Sequence, residues 1–112
     1  EDSYFRQRLA QSFIEVEIMK YLGLKTASKL INDQKIGAEA SIQKLYWSEY
    51  HKRFCDLAMD IFGQESAFWG EDSLSSGQFQ QLFIRSRAET IYAGSTQIQK
   101  NIIAERILGM PR

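Results

Sequence analysis

Apolar side chains recur every three or four positions along most of this chain, and a sustained alternation of apolar and polar residues occurs nowhere. That periodicity predicts helices and no strands. The first helix is expected from residue 3 to about 32, capped by Asp2 or Ser3. Phe5, Leu9, Phe13, Val16, Met19, Gly23, Ala27 and Leu30 form one continuous seam predicted to face a core. Ile14, Ile18, Tyr21 and Leu22 widen it, so the helix is expected to meet neighbours on two sides. At the rise of an α-helix it would be roughly 40 Å long. Gly23 in its middle implies either a close helix crossing or a kink.

A short polar connection containing Gly37 leads to a second helix, expected over residues 38–62. Its stripe is Ile42, Tyr46, Tyr50, Phe54, Leu57 and Ile61, and Gly63 stops it. Residues 64–77 carry no periodicity, and Phe68-Trp69 within them is expected to tuck into the bundle or a neighbouring subunit. A third helix is expected from 78 to 92, with Phe79, Leu82, Phe83, Ala88 and Ile91 inward and Arg85, Arg87 and Glu89 on its polar surface. After a break at Ala93-Gly94-Ser95-Thr96 a fourth follows, with Ile98, Ile102, Ile103 and then Ile107 or Leu108 on one side and a stop at Gly109 and Pro111. The expected fold is all-α, an up-and-down antiparallel four-helix bundle.

With 112 residues the chain is long enough for one domain with a core that needs no covalent staples. Its 14 basic and 14 acidic side chains cancel, which removes the electrostatic case for nucleic acid or an anionic membrane surface. No apolar run approaches the length of a membrane span. The lone Cys55 sits among Phe54, Leu57 and Ala58 and is expected to be a buried structural thiol. His51 has no cysteine, aspartate or second histidine at ligand spacing, which predicts a solvated or interfacial side chain and no metal. A soluble intracellular protein is expected. The chain opens on Glu1 without an initiator methionine, as a piece cut from a longer one would.

The stretch with most chemical content is the break before the last helix. Gly94 permits a sharp corner and close approach to the main chain. Ser95 or Thr96 can cap the new helix, whose first amides favour an anionic or carbonyl-bearing partner. On pattern alone, a plain turn between two bundle helices fits equally well.

Residues 91–109, I-Y-A-G-S-T-Q-I-Q-K-N-I-I-A-E-R-I-L-G, closely resemble the C-terminal signature of the acyl-CoA dehydrogenase family, written I-Y-E-G-T-S-Q-I-Q before an apolar helix. Residues 8–22, 40–45 and 57–63 look like earlier parts of the same C-terminal helical domain. The resemblance implies that this single domain, residues 1–112, belongs to a larger flavoprotein with an N-terminal helical and a middle β domain. It implies oxidation of the Cα–Cβ bond of acyl-CoA thioesters with FAD as hydride acceptor. It also implies assembly with like or related subunits into dimers or tetramers, and an onward acceptor such as an electron-transfer flavoprotein. A bacterial cytoplasm is the expected compartment, with the mitochondrial matrix as the other.

By the same resemblance, Ser95, Thr96 and Gln97 match cofactor-contacting positions, and Tyr92 and Gly94 match the substrate side. Two departures stand out. Many relatives carry the catalytic glutamate just before this glycine, where this chain has Ala93. The Gly-Gly-Asn-Gly that helps hold flavin from a neighbouring subunit is replaced by Gly63-Gln64-Glu65-Ser66. A methyl group cannot take the α-proton. The base would then come from an upstream helix or from a partner subunit, since Glu89 starts roughly 6 Å along the axis from Ala93. The competing expectation is a non-catalytic assembly subunit of a hetero-oligomeric dehydrogenase.

Overall fold

The computed structural model of the chain describes residues 2–71 and 73–111. Four α-helices follow in order: α1 (Ser3–Ile31), α2 (Glu39–Phe62), α3 (Gln78–Glu89) and α4 (Thr96–Arg106). No strand occurs among the described residues, and the all-α bundle is as expected.

Local chemistry explains the helix ends. Asp2 caps α1, its Oδ1 accepting the Tyr4 N–H at 2.9 Å. Asn32 donates its side-chain amide to the Ser28 carbonyl at 2.7 Å, and Asp33 turns left-handed at φ +52°, ending the helix without a glycine. The N-terminus of α2 lacks a side-chain cap at Ala38, and Glu39 reaches back instead to the Gly37 N–H at 2.9 Å. At the far end Gly63 takes φ +55° and donates its N–H to the Met59 carbonyl. The irregular segment contains a short 3₁₀ stretch, Gly63–Ala67, and a tight turn at Leu74–Gly77 in which Ser75, Ser76 and Gly77 take left-handed φ of +54°, +50° and +74°.

The other three helices all pack on α2 and touch one another little. Against α1 the register is antiparallel: Arg8 meets Asp60 at 2.6 Å, Arg53 reaches Glu15 at 3.1 Å, and Gln43 donates to the Leu22 carbonyl at 2.8 Å. Against α3 it is antiparallel too, with Phe62 edge-on to Phe79 and Arg87 paired with Asp56. The buried centre is correspondingly small. Tyr50, Cys55, Leu57 and Ala58 of α2 form it, together with the polar side chains Ser48, Gln80, Ser86, Glu89 and Gln99. Cys55 is buried as expected.

The apolar seam of α1 departs from expectation. Its α2-facing side carries Phe5, Arg8, Ser12, Glu15, Met19, Leu22, Thr26 and Lys29, a mostly polar row at three- and four-residue spacing. Leu9, Phe13, Val16 and Leu30 lie on one flank and Ile14, Ile18 and Tyr21 on the other, all exposed, Phe13 at 67%. Periodicity reports that a stripe exists but not which neighbour it meets. Here α2 meets α1 between two apolar flanks, through ion pairs and hydrogen bonds. Gly23 is not a close crossing within this chain: a β-carbon there would meet nothing within 4 Å. It borders a hollow of about 220 Å³ between α1 and α2, beside Met19 and Trp47. The chain is elongated, 49 × 27 × 25 Å, with a radius of gyration of 17.2 Å, against about 13 Å for a compact domain of this length.

Candidate functional site

The corner between α3 and α4 is built on one row of α2: Lys44, Ser48, His51 and Cys55, at helical spacing beside the aromatic stripe. Helix α3 stops at Glu89, three residues short of the expected end, because the chain winds into turns there. The N–H groups of Ile91 and Tyr92 both reach back to the Ala88 carbonyl, at 2.9 and 3.0 Å. Ile91, expected inward, is therefore exposed. Ala93 and Gly94 follow with φ of +53° and +94°, two left-handed residues in succession that reverse the chain. Thr96 N–H closes the corner on the Thr90 carbonyl at 3.0 Å. Ser95 then caps α4, its Oγ accepting the Ile98 N–H at 3.4 Å.

Three side chains fasten this corner. Lys44 donates to the carbonyls of Glu89 at 2.9 Å and Gly94 at 2.7 Å. Gln99, buried on the first turns of α4, donates its amide to the Ala93 carbonyl at 2.9 Å. Thr96 Oγ1 donates to Glu49 of α2 at 2.7 Å. Gly94 is required for this arrangement, because a β-carbon there would lie 2.4 Å from Gln99 Nε2. The close approach that glycine allows is thus taken by the protein's own glutamine.

The expected site residues fall in one place with different tasks. Tyr92, Ala93 and Gln97 are on the exposed side of the corner, and Gly94, Ser95 and Thr96 are half-buried. Thr96 directs its hydroxyl proton inward to Glu49, whereas Gln97 stays on the outer surface. The backbone N–H groups of Gly94 and Ser95 find no acceptor among the described residues. Successive free amides in a tight turn make a donor pair suited to an anionic or carbonyl oxygen. Such a donor set fits the polar edge of a flavin or a thioester carbonyl. FAD, when bound in such a site, supplies the hydride acceptor.

Nearby, Glu89 is not on the polar surface where it was expected, and of the two environments expected for His51 it takes the interfacial one, between α2 and α3: Nδ1 of His51 lies 2.5 Å from Glu89 Oε2, with side-chain exposures of 12% and 6%. Trp47 stacks on the imidazole, ring centroids 4.8 Å apart, and Arg85 stands 3.7 Å from the other Glu89 oxygen. Two turns of α2 meet the end of α3 here, so a carboxylate at that end is covered and must be paired. Of the two places expected for Phe68 and Trp69, the chain's own bundle is not the one taken: they remain 58% and 56% exposed within this chain, and Gln80 holds the Phe68 carbonyl at 3.0 Å. No trio of histidine, cysteine and carboxylate side chains able to hold a metal occurs among the described residues. No described helix is long and apolar enough to cross a membrane.

Lys44, Glu49 and Gln99 escaped the sequence reading. Their spacing does not mark them, because the groups they hold lie on other segments of the chain.

The chain is thus an all-α helical-bundle domain that ends in a fastened corner and a capped helix. Residues 1–108 match the model of the acyl-CoA dehydrogenase C-terminal domain, and the chain belongs to that family. It is 37% identical over 115 aligned positions to acyl-CoA dehydrogenase IpdE1 of Mycolicibacterium smegmatis, covering all of this chain and 27% of that protein. Among solved structures it superposes on the Tcur3481-Tcur3483 steroid ACAD with a TM-score of 0.89, at 28% identity, covering all of this chain and 30% of that one. The ChsE4-ChsE5 complex from Mycobacterium tuberculosis shares the fold, with a TM-score of 0.87 at 22% identity, over all of this chain and 29% of that one. The chain therefore spans under a third of the length of the relatives it matches.

Proposed function

We propose that this domain serves an FAD-dependent enzyme that oxidises the Cα–Cβ bond of acyl-CoA thioesters, and that its corner forms one wall of the flavin and thioester site. The observation that carries this reading is the pair of outward amides of Gly94 and Ser95, aligned by carbonyls fastened on the inner side. Ser95 and Gln97 would meet the cofactor, as would Thr96 through the half of its hydroxyl not given to Glu49. Tyr92 and Gly94 would face the thioester. Alone the domain is expected to be inactive.

Ala93 stands where many relatives carry the base, and the nearest carboxylate on α3, Glu89, is committed to His51. The base in this reading comes from elsewhere in the polypeptide or from a partner. The second reading, a non-catalytic subunit supporting a partner's chemistry, draws on the two exposed apolar flanks of α1 and on solved relatives named as complexes of two proteins. A bacterial cytoplasm suits both readings, the relatives above being bacterial.

The deciding experiment is an anaerobic titration of the full polypeptide, purified alone, with straight-chain, branched and steroid acyl-CoAs while flavin absorbance is followed. Bleaching is the expected result and locates the base within the polypeptide. Bound flavin that no substrate bleaches supports the non-catalytic subunit, and Ala93→Glu is then the variant to test for restored bleaching. A polypeptide that binds neither flavin nor acyl-CoA, alone or with a partner, overturns the assignment.

A further inference from the structure

We infer that Lys44 is a positioning residue for the corner, fixing the direction of the Gly94 and Ser95 amides toward the ligand. The inference rests on the preceding reading that the corner lines the flavin and thioester site. Lys44 projects from α2, the helix on which the rest of the chain packs. Its ammonium group joins the last residue of α3 to the residue before the α4 cap, through the Glu89 and Gly94 carbonyls. Carbonyls at a helix C-terminus carry partial negative charge, so a cation there is favourably placed.

The geometry has a directional consequence. A trans peptide holds its C=O and N–H on opposite edges of one plane, and no cis bond occurs among the described residues. Turning the Gly94 carbonyl toward Lys44 therefore turns the Ser95 N–H away from α2. Gln99 acts likewise on the preceding peptide, drawing in the Ala93 carbonyl and sending the Gly94 N–H outward. Without Lys44 the plane between Gly94 and Ser95 is free to rotate about the flexible glycine, and the Ser95 N–H loses its fixed direction. The ammonium group touches neither donor directly. Its effect passes through the main chain.

The test compares Lys44→Met and Lys44→Arg in the full polypeptide with any partner it requires, beside Arg53→Met as a control that breaks the contact with Glu15 elsewhere on α2. Two quantities are read: amide hydrogen exchange, and the affinity for a non-oxidisable 3-thia-acyl-CoA. In K44M, exchange of the hydrogen-bonded corner amides of Ile91, Tyr92 and Thr96 should rise ~10-fold or more while the rest of α3 and α4 keeps its protection. Affinity for the analogue should fall by a similar factor. K44R should restore most of both, and R53M should leave residues 90–96 unchanged. Unchanged exchange at the corner, or a rise spread evenly over α3 and α4, overturns the inference. So does a loosened corner with undiminished affinity. If exchange rises locally but the unmutated protein binds no acyl-CoA, the fastening stands and the ligand-site reading falls.

Discussion

His51 Nδ1 and Glu89 Oε2 lie 2.5 Å apart in the one buried ion-pair-capable contact that joins α2 to the end of α3 among the described residues. Lys44, two helical turns earlier on α2, holds the main-chain carbonyl of the same glutamate. Glu89 is thus gripped at both ends, and the corner begins from a residue that cannot swing. Removing His51 strands a covered carboxylate, and breaking a buried pair from one side costs about 3 kcal/mol. His51→Ala should lower the unfolding free energy measured by chemical denaturation by about 3 kcal/mol. The double variant with Glu89→Gln should recover part of the loss, because the charge left behind has gone.

Ala93 occupies left-handed backbone at φ +53° without the freedom of glycine. An L-residue there loses about 1 kcal/mol relative to glycine, partly returned by the greater entropy glycine has when unfolded. Ala93→Gly should therefore be neutral to slightly stabilising in a denaturation curve, and Ala93→Val clearly destabilising. At the next residue the sign reverses. Gly94→Ala adds a β-carbon 2.4 Å from Gln99 Nε2 on top of a φ of +94°, and should destabilise the protein while releasing the Ala93 carbonyl.

Acid sensitivity is expected at the α1–α2 connection. Lys29 hydrogen-bonds the Glu39 carboxylate, which also accepts from its own N–H and that of Gly37, and together these hold its pKa at about 2 against an ordinary 4.5. A pKa lowered on folding contributes stability above the ordinary value, lost as pH falls from about 4.5 through about 2. Glu39→Gln should remove that part of the acid limb, seen as a flatter dependence of the melting temperature on pH across this window.

Burial pushes the Cys55 thiol above its usual range, and the Ser86 hydroxyl offsets only part of that. The thiol is also covered by α3. In the native protein at pH 8 a maleimide should modify it ~100-fold more slowly than free cysteine or worse, with reaction restored in denaturant and followed by mass spectrometry. Rapid modification would show that α3 opens away from α2.

Much of this fold is legible in the sequence because it depends on neighbours three and four residues away. The Asp2 cap, the stop at Gly63, the burial of Cys55 and the existence of the corner are all local matters. What escapes is decided between elements. The apolar run of α1 gives no clue that α2 would meet its polar row, and Glu89 looks like surface until α2 is seen to cover it. The corner was marked by Gly94 and Ser95, whereas Lys44 and Gln99 lie fifty and five residues away from the carbonyls and glycine they control. Side chains that act on the backbone of another segment leave no short-range pattern.

The dependence of every outer helix on α2 gives the domain the mechanics of an axle with three attachments. A subunit that seats on the flanks of α1 would push on α2 along Arg8, Glu15 and Gln43, and the same rod carries Lys44, Glu49 and His51 against the corner and the end of α3. A displacement of α2 would carry the corner's fastenings at Lys44 and Glu49 with it. Assembly and the alignment of the Gly94 and Ser95 amides are, on this plan, read from the same helix.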